Sequence, residues 1–288
     1  MTVFNLGSIN VDHVYRVTRL PVAGETVDAL SLDAMLGGKG ANQSVAVARA
    51  GGEAVHIGMV GDDTQPRLWL AEFGVDATHV GTVEGATGHA NVFVDEKAEN
   101  LIVVWPGANR KQSLTRIELA LHDAGPNDIL LLQNETDHIL EAAKLAKERG
   151  LFIIYSAAPF DPHAAAEMLP LIDLLVVNSV EAQQMAEHMG VAEIDLPVPN
   201  MIVTRGAEGA DWRGETTLHQ DAFPVEAVDT TGAGDCFLGT VAAALDAGED
   251  RAEALRRAAA ASAIQVTRRG AAQANPTSEE VTRFLRGM

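Results

Sequence analysis

Apolar residues along this chain cluster in short runs that give way to stretches of helical spacing. Residues 3–9 form the first run and read as a buried opening strand; 54–60 form another, which ends at Gly61-Asp62-Asp63 and precedes a short helix running to Gly74. From residue 128 the alternation is regular: strand 128–132, helix 136–149, strand 151–155, helix 162–169, strand 174–177, helix 180–189, strand 201–204. Strands buried on both faces read as continuous apolar runs, and such strands joined by helices make a parallel sheet. Residues 13–36 have no helical period. Extended pieces at 13–17 and 26–34 flank the turn-rich Pro21-Val22-Ala23-Gly24-Glu25, and 87–94 and 101–104 alternate around a tip at Asp95-Glu96-Lys97. The expectation is an α/β fold: a core with a mostly parallel central sheet flanked by helices, from residues 1–11, 37–85 and 105–288, and a small antiparallel β lid from 12–36 and 86–104.

Two glycine clusters stand where helical spacing begins. Gly37-Gly38-Lys39-Gly40-Ala41-Asn42 leads into Ala41, Val45, Ala48 and Arg49, and Asp229-Thr230-Thr231-Gly232-Ala233-Gly234-Asp235 leads into Leu238, Val241, Ala242 and Leu245. The first turn of a helix has N–H groups without intrahelical partners, and glycine lets an anion approach them. Gly232, Ala233 and Gly234 therefore form a candidate anion pocket, with Asp235 one residue on as a candidate base. A short glycine motif alone equally describes a turn entering a helix. Neither cluster is a Walker A loop, since Gly40 follows Lys39, and no G-x-G-x-x-G follows the first strand, which disfavours a dinucleotide-binding oxidoreductase.

Other polar residues fall at strand ends. Asn10 and Asp12 share a face of extended chain; Gln133-Asn134-Glu135, Asn178 with Glu181, and Thr204-Arg205-Gly206 with Gly209 each follow a strand. Any one of these reads as a cap or turn, but all fall on the rim where parallel sheets bind ligands.

Composition narrows the class. The 288 residues suffice for one large domain, 47% of them hydrophobic and only 5% aromatic, and the formal charge of −19 opposes binding to nucleic acid or an acidic membrane surface. The longest apolar runs are too short to span a bilayer. A single cysteine, Cys236, excludes an intrachain disulfide and a zinc cluster, and no leader is evident at residues 1–5, so a cytoplasmic protein is expected.

The chain resembles the PfkB (ribokinase-like) carbohydrate kinase family over nearly its whole length, and most closely the ribokinases within it. The resemblance rests on Gly7-Ser8-Ile9-Asn10-Val11-Asp12, Gly24-Glu25-Thr26, residues 37–42 with Gln43, Gly61-Asp62-Asp63, Gly107-Ala108-Asn109, residues 229–235 and Val266-Thr267-Arg268-Arg269-Gly270. It implies that Asp235 takes the proton of a furanose's primary hydroxyl as this attacks the γ-phosphate of ATP, D-ribose being the leading acceptor, and that Gly232, Ala233 and Gly234 form the anion hole. It further implies sugar contacts at Asn10, Asp12, Gly38, Lys39, Asn42 and Glu135, and nucleotide contacts at Asn178, Glu181, Thr204, Gly206, Gly209 and Thr231. Magnesium would be held through water at Glu181, potassium near Asp229, Thr231 and Gly270, and a homodimer would form through the lid. A ribonucleoside kinase, another sugar kinase of the family and a non-catalytic sugar-binding regulator are the alternatives. The chain departs from the family in a shortened 182–200 segment, in Ala259 near the adenine position, in Ala274 where a serine supports the cation loop, and in Ser156-Ala157-Ala158-Pro159.

Overall fold

The computed structural model describes every residue except Ala98. The chain opens with strands β1 (Thr2–Leu6), β2 (Asn10–Arg16) and β3 (Ser31–Gly37), helix α1 (Lys39–Arg49), β4 (Glu53–Val60), α2 (Gln65–Glu72), β5 (Val80–Thr82), β6 (Gly88–Val94) and β7 (Asn100–Trp105). It continues through α3 (Leu114–Ala120), β8 (Ile129–Gln133), α4 (Ile139–Arg149), β9 (Phe152–Ser156), α5 (Pro162–Met168), β10 (Leu174–Asn178) and α6 (Ser179–Met189). The last part holds β11 (Asn200–Thr204), β12 (Ala210–Arg213), β13 (Leu218–Gln220), α7 (Ala233–Asp246), α8 (Arg251–Gln265) and α9 (Ser278–Arg286).

Nine strands form one sheet in the order β13-β12-β11-β10-β9-β8-β1-β4-β5. All pairs from β11 to β5 are parallel, whereas β12 and β13 fold back antiparallel at the edge. Strand β8 shows why its run is unbroken: Ile129 and Leu131 point into one core, Leu130 and Leu132 into the other. One core lies under α1, α7 and α8 and contains Val45, Val241 and Leu255; the opposite core contains Ile117, Ala142, Met168 and Met185 of α3 to α6. The result is a three-layer helix–sheet–helix sandwich.

A separate sheet has the order β3-β2-β6-β7. Its outer pairs are antiparallel, but β2 and β6 at its centre run parallel, because the chain crosses the whole 37–85 segment between them. The strand expected at 26–34 instead spans Ser31–Gly37, preceded by irregular chain around Gly24, whose φ is +86°. The opening strand stops at Leu6 rather than residue 9, since Gly7 and Ser8 turn against the start of α1. Among the described residues, no helix is long and apolar enough to cross a membrane.

The α1–β1 approach is close. A Cβ on Gly40 would lie 2.5 Å from both the Gly7 Cα and the Ser8 nitrogen, so only glycine fits without moving backbone. Gly40→Ala should lower the melting temperature by roughly 3–8 °C, the effect of about 1–3 kcal/mol of overpacking. Gly234→Ala, whose added Cβ meets no heavy atom within 4 Å, should melt with the native protein. Scanning calorimetry of both variants checks the contrast, and equal melting temperatures would refute it.

Candidate active site

The crevice between β1 and β8 is where the strand order reverses, since the chain leaves β1 to build on one side with β4 and on the other with β8. Ligands in open α/β sheets bind at such points, beyond the carboxyl ends of the strands. Ser8, just past β1, donates its hydroxyl to Glu135, just past β8, and the same Glu135 oxygen accepts the Lys39 N–H at 3.1 Å. Gly38 caps α1 with φ +91°, and the Ala41 N–H bonds the Ser8 carbonyl at 2.9 Å, which sets the first turn of α1 beside both strand ends.

Helix α7 lies against α1, and the contact is again made by glycine: a Cβ on Gly239 would sit 2.5 Å from that of Ala46. Asp235, in the first turn of α7, is buried and faces α1. Its Oδ2 accepts from Asn42 Nδ2 at 3.0 Å and its Oδ1 from Gln43 Nε2 at 2.9 Å. Burial raises the Asp235 carboxyl above the ordinary aspartate value, opposed by Lys39 and by the two amide donors. Lys39 in turn is held above its ordinary value, chiefly by Asp235 and then by Glu135 and Glu181, against the effect of burial. Gly232 caps α7 at φ +77°, and among the described residues the N–H groups of Gly234 and Asp235 have no protein acceptor. Partnerless donors at a helix N-terminus beside a buried carboxylate offer an anion pocket and a base at one place. Cys236, next in sequence, is fully buried in a cluster with Ile264 and Val281, and burial pushes its thiol up to about 12, which disfavours the reactive thiolate.

Of the residues the sequence assigns to a sugar, Asn10 accepts from Asn109 Nδ2 at 2.8 Å through its Oδ1, leaving its own amide N–H groups for a ligand. Asn109 is fixed by the Ile9 N–H at 2.9 Å. Asp12 fits only because Gly37 has no side chain, since a Cβ there would fall 2.0 Å from Asp12 Oδ2. Among the described residues, Asp12 Oδ1 and Asn42 Oδ1 are both buried without a donor. These acceptors, with Glu135 and Lys39, match a ligand rich in hydroxyl groups.

On the other side of the anion pocket runs a groove of about 580 Å³, lined by Thr204, Gly206, Gly209, Gly234, Phe237 and Ala259 among others. The structure thus brings together the predicted Thr204, Gly206 and Gly209 with Ala233 and Gly234. Asn178 and Glu181 stand at the start of α6, outside the groove lining, as a capping box: Asn178 Oδ1 accepts from Val180 and Glu181, and Glu181 Oε2 from Asn178, all at 2.9 Å. Thr231 contributes backbone rather than lining, donating its N–H to Asp229 Oδ1 at 3.0 Å, while Asp229 Oδ2 accepts from Gly270 N–H at 2.9 Å. Burial alone would raise Asp229, but the Gly270 and Thr231 donors outweigh it and hold the carboxyl below its usual range. Among the described residues no three His, Cys, Asp or Glu side chains converge as a metal cage.

Sequence reasoning assigned no role to Gln43, Gln133 or Asn109, although each lies within a stretch that carried the resemblance or in the strand-end polar set. Gln133, fully buried, donates to Gln43 Oε1 at 2.7 Å and to Asn5 Oδ1 at 2.8 Å. The signal for it was a glutamine ending an otherwise apolar run, Ile129-Leu130-Leu131-Leu132-Gln133.

The pfkB family carbohydrate kinase profile matches residues 2–278. The ribokinase of Haemophilus influenzae is 35% identical over 298 residues, which cover 97% of each chain. Among solved structures, ribokinase from Thermotoga maritima superposes with a TM-score of 0.87 at 33% identity, covering 99% of both chains. Arabidopsis thaliana ribokinase, solved with ribose and ATP, superposes with a TM-score of 0.85 at 30% identity over 99% of this chain and 98% of its own.

Asp12 gives this site a pH-dependent stability. Burial first, and the Glu135 carboxylate second, push its carboxyl from 3.8 up to about 7. Between those values the folded protein keeps a proton that the unfolded chain has released, so stability from this group is full in acid and is lost as the pH rises through about 7. Asp12→Asn should therefore melt higher than the native protein at pH 8, by about 3 °C or more, with the gap shrinking by pH 5. Thermal melts across that range check it; a variant no more stable at pH 8 than the native chain would show that Asp12 carries no such burden.

Proposed function

The chain belongs to the pfkB family of carbohydrate kinases, and from that membership we propose that it transfers the γ-phosphate of ATP to the primary hydroxyl of D-ribose, giving ribose 5-phosphate and ADP. One observation carries the reading: a buried Asp235 at the start of α7 joins a hydroxyl-binding face on one side to a nucleotide-sized groove on the other. In this assignment Asn10, Asp12, Gly38, Lys39, Asn42 and Glu135 hold the sugar, and the primary hydroxyl points at Asp235. As its oxygen forms the new bond to the γ-phosphorus, the bond from that phosphorus to the β–γ bridging oxygen breaks, ADP leaves with the electron pair, and the hydroxyl proton passes to Asp235. The free N–H groups of the Gly232–Asp235 turn receive the charge on the transferring group, and Lys39 adds a cation beside them.

Magnesium fits this site in the way it usually accompanies nucleotides, held mainly by phosphates with one protein carboxylate. Glu181 would supply that carboxylate, through water, since only its Oε2 is engaged by the α6 cap and its charge is felt by Lys39. When bound, the ion neutralises phosphate charge. The small four-stranded sheet serves as the lid over the sugar, formed by residues 12–36 and 86–104, and excludes water that would otherwise take the phosphoryl group. Tyr15 and Phe93 of this lid are already stacked on each other, with ring centroids 5.0 Å apart, which favours the free sugar over a nucleoside.

The reaction is placed in the cytoplasm, and the protein as a homodimer through this sheet. Strand β7 is one of its two edges, and Leu101, Ile102, Val103, Val104 and Trp105 are all exposed there. An apolar edge strand needs a cover, and a second copy of the same edge is self-complementary. Val103→Lys should shift sedimentation from dimer to monomer with the fold retained; a native protein that sediments as a monomer would defeat the dimer.

Coupled measurement of ADP formation should show D-ribose preferred over 2-deoxyribose, fructose and adenosine. Asp235→Asn should cut turnover about 10²–10⁴-fold while calorimetry still detects sugar binding. Turnover by the variant within a few-fold of native would remove Asp235 from the base role, and adenosine as the best acceptor would move the assignment to a nucleoside kinase.

A further inference from the structure

Gln265, the last residue of α8, is a wholly buried amide at the end of an alanine-rich helix. Its Nε2 donates to the Thr231 carbonyl at 2.7 Å and to the Gly270 carbonyl at 3.1 Å. Its Oε1 has no partner, so the side chain is held through its N–H groups, and the two carbonyls fix which way the amide faces. The same two residues donate their N–H groups to the two oxygens of Asp229. Four hydrogen bonds thus close a ring between the turn that leads into Gly232 and the turn at Gly270. The second turn backs the first directly, since a Cβ on Gly232 would meet that of Ala271 at 2.8 Å.

Carbonyl oxygens from separate turns that converge on one point are the donor set of a dehydrated monovalent cation. Here they converge on an amide nitrogen. The side chains around the turn add little: Ala271, Ala272 and Ala274 carry no side-chain oxygen, the Gln273 amide is turned to Met35 Sδ, and each Asp229 oxygen already accepts an N–H. Potassium therefore does not fit beside Asp229, Thr231 and Gly270 as these residues stand, because its place among the carbonyls is filled by the protein.

We propose that Gln265 is a built-in replacement for a monovalent cation: its amide N–H groups hold together the two turns behind the anion hole, so the protein needs no potassium to keep that hole in shape. Gln265 acts as a positioning residue through Thr231 and Gly232, and the catalytic arm of the test rests on the kinase reading above.

The test compares potassium chloride with tetramethylammonium chloride, whose cation is too large for a carbonyl site, at equal ionic strength. For the native protein, ribose-dependent turnover and melting temperature should each be the same in the two salts, turnover within about twofold. Gln265→Ala frees the carbonyls; it should lose turnover at least tenfold in tetramethylammonium and regain most of it, with a higher melting temperature, in potassium. Activation of the native protein tenfold or more by potassium, or a potassium-specific rise in its melting temperature, would overturn the proposal. So would Gln265→Ala that is folded and equally active in both salts. The native melting comparison needs neither catalysis nor a folded variant, and it separates the outcomes: failure of the kinase reading shows as absent turnover in every salt, failure of this inference as a potassium-dependent melt.

Discussion

A carboxylate as deeply buried as that of Asp235 stays in the protein only if donors are aimed at it, and the chain that aims them runs through the whole centre of the fold. Gln43 presents its N–H to Asp235 and takes an N–H from Gln133 on its carbonyl side; Gln133 gives another to Asn5. Asn5 donates to the Gly40 carbonyl and to Ser44 Oγ, and Ser44 Oγ meets His56 Nδ1 at 2.8 Å. Burial lowers His56 to about 4, so the ring is neutral at physiological pH. Its Nε2 faces the Gly7 carbonyl, which accepts, so Nε2 carries the proton and Nδ1 accepts from the serine. The amide of Gln133 is the branch point: one arm donates through Gln43 to Asp235, the other through Asn5 and Ser44 to His56, and each amide is oriented by its partners. The network spans β1, α1, β4, β8 and α7, and satisfied networks of this kind fix one arrangement of the elements they join.

Backbone geometry makes that network reachable. Gly7 against Gly40, and Gly239 against Ala46, bring β1, α1 and α7 closer than side chains would allow. The same approach puts two helix N-termini over one crevice, which matters in a chain with a formal charge of −19. Glu135, Glu181 and Asp235 act on a single lysine, so in the proposed reaction an anionic phosphate would be drawn by Lys39 and by oriented N–H groups and not by any general surface attraction. Such a site accepts phosphate only where the donors are, a condition that favours specific transfer over loose anion binding.

Much of this was legible in the chain, and what was not has physical causes. Buried strands announce themselves as apolar runs, so the central sheet and its helices were readable to within a few residues, and glycines before helical spacing located both N-termini. The short β5, β12 and β13, the two-turn α3 and the terminal α9 were missed, because three or four residues carry no period, seven carry little, and α9 buries only Val281 fully. The central parallel pair of the small sheet was hidden because strand direction depends on where the chain goes between strands, not on the strands themselves. Asp235 and Lys39 stood beside glycines and could be picked out; Gln43, Gln133 and Gln265 could not. A glutamine in a helix or at a strand end looks like a surface residue until the structure shows it fully buried.

The sugar face carries its own argument for how substrate and site depend on each other. Asp12 Oδ1 and Asn42 Oδ1 are buried acceptors with no donor, each costing about 1–3 kcal/mol relative to a paired group. Asp12 also carries a carboxyl raised to about 7, next to Glu135. Hydroxyl groups placed against these oxygens remove the missing bonds and stabilise the charged form, which draws the Asp12 pKa back down. A sugar with every matching hydroxyl relieves all of the cost, whereas one lacking a single hydroxyl leaves an acceptor stranded in a closed site. In the proposed assignment, specificity would come from the unliganded protein being under-satisfied, and the acceptor that completes the hydrogen bonds would be the one held in line with Asp235.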